Sequence, residues 1–419
     1  MIANKRLVLS SLLLAMCFSC ITTSYAATTI DQATVNVLLA KIEQLTQRVE
    51  QLENAGQNNL NTRGLDQKID NALVLTEELD NKKALSERVK IKGDFRLRYE
   101  NIDDATKLTN RDRTRVRARL ALTGQVSDDL VVGLGLASGG DDPVSTNQSL
   151  GNGGSTKGFN LDMAYFDWSG LDNAHVIGGK FNNPFFKPGK HPLLWDGDYR
   201  PEGLAYTFDN SKWFANAAFM FLESDNKAGG QETESFWGGQ IGFRTKLGDS
   251  AKLTAGLSYF DIGTAGKQAF FDDGFFGNSA VNNGLNDVYQ NNYQEVELFG
   301  ELAFNLGGLP SKVFFDWVQN QDADDNDTGF VIGAIFGKAK KPGTWKASYI
   351  YQDLEADATL GLITDSDFGG GGTNTLGHLI KASYALKENT SLSLSYFINE
   401  KGDPETDYDR LQLDFKLRY

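Results

Sequence analysis

The sequence predicts an all-β transmembrane barrel of about sixteen antiparallel strands, preceded by a short N-terminal α-helical coiled coil. Three observations carry this. From Val89 to the last residue, apolar and polar side chains alternate with a period of two. Short connections are interleaved with long polar ones, and the chain ends on an amphipathic strand closed by an aromatic residue. Composition agrees: 44 Gly, 27 Phe and 14 Tyr against 8 Pro suit many strands joined by turns better than a helical enzyme.

The first element is an export signal. Lys5 and Arg6 precede the apolar run "LVLSSLLLAMCFSCI", which leads to the small-x-small pattern "SYA" at Ser24 to Ala26. This predicts a signal peptide over 1–26, cut after Ala26. An uncleaved anchor is disfavoured because the run is short for a span. Cys17 does not fit a lipoprotein site, because Met16 before it is bulky. Both cysteines, Cys17 and Cys20, fall inside the signal, so the exported chain has no disulfide, thiolate or Cys-based zinc chemistry. Losing Lys5 and Arg6 takes the net charge from -14 to -16.

Residues 27–88 are expected to be a periplasmic helical segment and linker. Val35, Leu38, Ile42, Leu45, Val49 and Leu52 form an a/d heptad seam. An intermolecular coiled coil is favoured over one amphipathic helix packed on its own protein, since nearly every other position is polar. The seam is too short to be stable alone and implies a larger assembly.

The barrel is expected over 89–419. In "VKIKGDFRLRYE", Val89, Ile91, Gly93, Phe95, Leu97 and Tyr99 oppose Lys90, Lys92, Asp94, Arg96, Arg98 and Glu100. One such strand fits a sheet with a wet side as well as a membrane barrel; repetition to the C-terminus favours the barrel. Strands are expected to begin near 89, 113, 130, 158, 174, 203, 212, 235, 251, 293, 311, 329, 344, 376, 390 and 408. The fourth, sixth and seventh are ambiguous in phase. Tight turns such as 127–129, 209–211, 247–250 and 387–389 alternate with long polar loops at 139–157, 183–202, 261–292 and 354–375. That sorting is expected of a bacterial outer-membrane barrel, with both termini and the N-terminal segment periplasmic. A barrel this wide encloses water. The last strand, "LQLDFKLRY", places Leu411, Leu413, Phe415, Leu417 and Tyr419 on one face. It is similar to the C-terminal strand that the barrel-assembly machinery reads, which usually ends in Phe.

The polar faces suggest chemistry. "RDRTRVRARL", Arg111 to Leu120, sets arginine at every second position. Arg111 lies at the loop edge, leaving Arg113, Arg115, Arg117 and Arg119 pointing into water beside Arg96 and Arg98, with Lys416 and Arg418 of the last strand on the other side. Glu295, Glu297 and Glu301 are expected across the lumen. Opposed walls of unlike charge would set a transverse field in a channel. Residues 183–202 carry Lys187, Lys190, Asp196, Asp198, Arg200 and Glu202, and four of the eight prolines, which would stiffen the loop and hold its charges in place.

The stretch "GKFNNPFFKPGKHPLLWDGDYRPEGLAYTF" (179–208) resembles the constriction-loop region of the gammaproteobacterial putative porin family of general-porin-like proteins, and "PSKVFFDW" (310–317) and the Asp- and Gly-rich segment near 366–374 are similar to the same family. The resemblance implies passive diffusion of small hydrophilic solutes and ions, and a homotrimer. It places residues 183–202 as an inward-folded loop.

The reading is therefore an outer-membrane porin of a Gram-negative bacterium, not an enzyme, with no catalytic residues, metal or cofactor. "DADDNDTG" (322–329) lacks the Gly and Glu of a calcium loop. Acidity and export argue against nucleic acid. The expected partners are outer-membrane lipid, copies of the chain, the barrel-assembly machinery, small solutes and ions, and the cell wall. The alternatives are a substrate-selective anion channel, for example for phosphate, with saturable conductance; an outer-membrane enzyme built on His175, His191 or His378; and a cell-wall tether using the heptad seam.

Overall fold

The structure, a computed structural model, describes residues 88–225 and 233–419, together with 40, 41, 43–48, 71 and 74. The chain divides into two units, Met1–Asn81 and Lys82–Tyr419. In the first, residues 43–48 are helical and Leu45 is 60% exposed. The signal peptide and the heptad positions Val35, Leu38, Ile42, Val49 and Leu52 lie outside the described residues.

The second unit is a closed antiparallel barrel of sixteen strands: β1 (Val89–Asp104), β2 (Arg111–Gln125), β3 (Leu130–Ser138), β4 (Phe159–Leu171), β5 (Ala174–Lys180), β6 (Glu202–Asp209), β7 (Trp213–Glu223), β8 (Glu234–Leu247), β9 (Ala251–Ile262), β10 (Tyr293–Leu306), β11 (Leu309–Asn320), β12 (Thr328–Gly337), β13 (Trp345–Leu354), β14 (Thr375–Lys387), β15 (Thr390–Lys401) and β16 (Thr406–Arg418). Each strand pairs with its sequence neighbour, and β1 pairs with β16 to close the ring. Closure leaves no unpaired edge for lipid to meet.

Alternation fixes which face is wet. Leu257, Leu298, Ile332, Ile380 and Leu413 are all exposed on the outside, where hydrocarbon would cover them. Trp213 against Phe243, and Trp345 beside Tyr384 in the neighbouring strand, put aromatic rings at the turn end of this face. Trp237 against Tyr259 does the same at the loop end, giving two interfacial girdles.

The seam is sealed by the C-terminus. Tyr419 N–H donates to the Gly93 carbonyl at 3.0 Å and Gly93 N–H to the Tyr419 carbonyl at 2.9 Å. The Tyr419 ring then covers Gly93 so closely that a Cβ there would meet it at 2.3 Å.

The sides alternate as expected, but loop lengths do not sort strictly. At the loop end, connections 321–327 and 402–405 are no longer than 338–344 at the turn end. The ambiguous phase of the fourth and seventh strands has local causes: β4 carries a register shift between Leu161 and Met163, and the inward face of β7 is itself apolar, with Phe214, Ala218 and Met220 buried. A bulge moves following side chains to the other face.

Candidate functional site

The arginine wall is built by register. Across β1 and β2, Asp94 faces Arg119, Arg96 faces Arg117, Arg98 faces Arg115 and Glu100 faces Arg113. Across β1 and β16, Arg96 faces Lys416 and Arg98 faces Asp414. Like charges directly opposite are destabilising, so the arrangement needs acids threaded through it. Arg98 is 4% exposed and grips Asp414 with two bonds, at 2.6 and 3.0 Å, and Asp367 at 3.0 Å. Arg410 binds Glu100 at 2.7 Å and Asp367 at 2.8 Å. Arg117 and Arg119 share Asp94, at 2.7 Å each. Arg111 is exposed.

The third loop, 181–201, crosses the lumen. Its apolar side packs on inward rings of β8 and β9: Trp195 stacks near Phe236 (6.3 Å), meets Phe260 edge-on (4.9 Å), and is flanked by Phe185 and Tyr199. Its backbone is fixed by strand side chains. Phe186 N–H donates to Gln240 at 2.7 Å, and Gly189 N–H to Glu301 at 2.9 Å. Gly189 has φ 61, and a Cβ there would strike the Phe314 ring at 2.3 Å, so glycine is required. His191 Nε2 donates to Gln352 Oε1 at 2.6 Å; burial holds its imidazole down at about 3, so it stays neutral. At the far side Asp198 accepts from Arg119 at 2.8 Å and Arg117 at 3.4 Å.

The seventh loop, 355–374, also folds inward. Leu360 N–H and the Thr359 hydroxyl donate to Glu295 at 3.1 and 2.6 Å. Asn278 of the fifth loop clamps it through the Ala356 and Thr359 carbonyls at 2.7 and 2.9 Å. The two inward loops meet where Asp196 N–H donates to the Ile363 carbonyl at 2.7 Å and Ser366 N–H to Asp196 at 3.0 Å.

Electrostatics differ along this junction. Burial pushes the Asp198 carboxyl up, but Arg117 and Arg119 outweigh it and hold it at about 2. Asp367 is held well below the usual range, Arg410 and Arg98 overcoming its burial. Asp196 goes the other way: burial, then Asp365 and Asp198 nearby, raise it well above the ordinary value.

What remains open is displaced toward β13–β16 and β1–β2. A cavity of about 350 Å³ is lined by Arg96, Arg98, Arg117, Lys190, Asp198, Asp367, Asp414 and Lys416, among others. A second, of about 560 Å³, is lined by Asp94, Arg119, Asp162, Arg200 and Arg418. The Arg117, Arg119, Asp94 and Asp198 cluster stands between them.

Several expected site residues are placed differently. Glu295 and Glu297 are 1% and 2% exposed and do not face the arginines across water; the former anchors the seventh loop and the latter takes the Ser258 hydroxyl. Glu301 is bound by Lys312 at 2.5 Å and by Gly189. The inward loops occupy the space that the sequence reading assigned to the field. Lys187 donates to the Trp195 and Asp196 carbonyls at 3.3 Å, closing the loop on itself. Glu202 opens β6 and pairs with Lys180 at 2.6 Å. Arg200 reaches Asp162 at 3.4 Å. Arg113 and Arg115 bind Glu100.

The acids that complement the wall, Asp94, Glu100, Asp367 and Asp414, were not singled out, and neither was Arg410. Strand parity alone places Asp94, Glu100, Asp414 and Arg410 inward. Asp367 lies in the Asp- and Gly-rich segment near 366–374, whose resemblance to the family did not say that it folds inward. The three histidines lie apart: His175 bonds Asp167 at 2.7 Å, and His378 bonds Tyr349 at 2.9 Å.

A closed barrel with an apolar outside and a charged, loop-narrowed inside is an outer-membrane channel. The chain belongs to the putative porin family, whose model matches residues 104–269 and 277–419. The fold is similar to that of Pseudomonas putida OprB, with TM-score 0.54 and 10% identity over 81% of this chain and 96% of that one. Salmonella typhi OmpF is 11% identical over 79% and 97% of the two chains, with TM-score 0.49. A Rhodopseudomonas blastica porin is 12% identical over 78% and 100%, with TM-score 0.46. No curated protein matches the chain in sequence.

Proposed function

We propose that the chain is a diffusion porin, passing small hydrophilic solutes and ions through a constriction between the arginine wall and the third and seventh loops. The observation that carries this is the contact of Asp198 and Asp367, one from each inward loop, with arginines of β1, β2 and β16. Cations on the strands and carboxylates on the loops meet in direct ion pairs that brace the loops against the wall, and their charges line the passage beside them. A charged lining orders water and favours dipolar solutes. The acids come from the loops rather than from Glu295, Glu297 and Glu301. Arg96, Arg98, Arg117 and Lys416 line the passage, with Arg113, Arg115, Arg119 and Arg418 along the same wall.

The channel is read as a homotrimer, held in part by the heptad seam of Val35 to Leu52. The N-terminal segment lies in the periplasm of a Gram-negative cell, where the cell wall is within reach. The last strand, with Tyr419, is the one the assembly machinery engages. The reaction is passage, not catalysis.

Liposome swelling tests this. Vesicles carrying the purified protein should swell in small sugars and progressively less as sugar size rises; equal exclusion of all sugars would contradict it.

A further inference from the structure

Four cations lining the 350 Å³ cavity have no carboxylate within ion-pair distance among the described residues: Arg96, Lys190, Lys346 and Lys381. Every other cation on that lining is paired. Arg98, Arg117 and Lys416 hold Asp414, Asp198 and Asp414 respectively. Arg96 meets only the Asn147 amide. Asp196 and Asp365 line the same cavity without an ion-pair partner among the described residues, so its seven cations stand against five carboxylates and positive charge is in excess there.

The surroundings are hydroxyls. On β13 and β14, Lys346 stands opposite Ser383 and Ser348 opposite Lys381. On β14 and β15, Lys381 stands opposite Ser395 and Ser383 opposite Ser393, with the last two hydroxyls bonded at 3.0 Å. Lysine and serine therefore alternate as a checkerboard, and Lys190 of the third loop lines the same cavity. Diagonal neighbours on adjacent strands, such as Lys346 and Lys381, lie roughly 7–8 Å apart, within reach of long side chains that converge on one anion. A tetrahedral oxyanion accepting one charge-assisted bond on each side spans about 8 Å. Spherical cations would be repelled, and neutral sugars would leave the ammonium groups without acceptors.

We propose that Lys346, Lys381 and Lys190, with the Ser383 and Ser393 hydroxyls, form a binding subsite for a small multiply charged oxyanion such as inorganic phosphate. It rests on the channel reading above and adds a resting point within it. Arg96, on β1, adds a fourth positive charge to the same cavity. Arg98, Arg113, Arg115, Arg117 and Arg119 of the wall are not part of the subsite, because carboxylates already hold them.

Titrating inorganic phosphate against the chloride current of single channels, at constant ionic strength, reads the subsite directly. Phosphate should reduce the current saturably. In K346Q/K381Q the half-blocking concentration should rise roughly tenfold or more, the effect of losing charged hydrogen-bond donors. K346R/K381R should retain block, and Ser383→Ala should weaken it while leaving the fold undisturbed. Current that falls linearly with phosphate, or equal block in wild type, K346Q/K381Q and Ser383→Ala, overturns the subsite and leaves the channel standing. Absence of any conductance in wild type overturns the channel itself, and the subsite with it.

Discussion

Arg119 of β2 donates to Asp198 of the third loop at 2.8 Å, and the same carboxylate takes Arg117 at 3.4 Å. This contact joins the inward loop to the strand wall at the level dividing the two cavities. The loop's opposite side is held by aromatic packing and by Gln240 and Glu301. Charge thus fixes one edge of the constriction and burial the other.

Asp198→Asn keeps the side chain's size and removes its charge. Charge-assisted bonds contribute about 1.5–3 kcal/mol each, so the loop edge should detach from β2. Single-channel steps should become larger and noisier than wild type. Steps of unchanged size and noise would show that the loop does not depend on this contact.

The loop carboxylates should respond to pH in opposite directions. Asp198 is depressed from 3.8 to about 2, so its anchoring is complete above 3.8 and is lost only as pH falls through about 2. Asp196 is raised, so between 3.8 and its raised value the folded state holds a proton that the unfolded chain has released. Stability at the Asp196–Ser366 junction therefore falls as pH rises through that window. Conductance should drift upward with pH in wild type and stay flat in Asp196→Asn; the same drift in both assigns it elsewhere.

Trp195 is 2% exposed amid Phe185, Tyr199, Phe236 and Phe260. Trp195→Ala should cost about 3–5 kcal/mol locally. The barrel's strands do not need this ring, so heat-resistant migration on gels should persist while the pore widens to larger sugars. Loss of the barrel together with the loop would contradict the separation of the two.

Gly93 and Tyr419 make a test of closure. Gly93→Leu should displace the Tyr419 ring from the seam and lower the yield of folded barrel several-fold. Gly300→Ala, where no heavy atom lies within 4 Å of the added carbon, should fold as wild type. Equal yields for all three proteins would remove the ring from the account of closure.

The barrel was legible because lipid and water impose a period of two on every strand, and the period seen in Arg113 to Arg119 repeats to the C-terminus, which one strand alone could not decide. Phase was lost where a register shift interrupts it, as at Leu161/Met163 of β4, and where the inward face is also apolar, as at Phe214, Ala218 and Met220 of β7. The site was half legible. Arg96 to Arg119 could be placed by parity, but Glu295 and Glu297 were assigned to water because parity says inward without saying what fills the inside. Phe236, Phe260 and Phe314 face inward too, and rings on a wet face are the sign of a loop docked there. The seventh loop's Asp367 had no such sign: its position depends on Glu295 and Asn278, far apart in sequence, meeting the loop's backbone.

The central claim is that a charged passage runs beside the arginine wall, and reversal potential under a salt gradient tests it most directly. Wild type should form channels, and Arg115→Glu/Arg117→Glu should shift the reversal potential toward cation preference at unchanged insertion frequency. Channels with the same reversal potential in both proteins would contradict the role of the wall, and a wild-type protein that forms no channel would contradict the account as a whole.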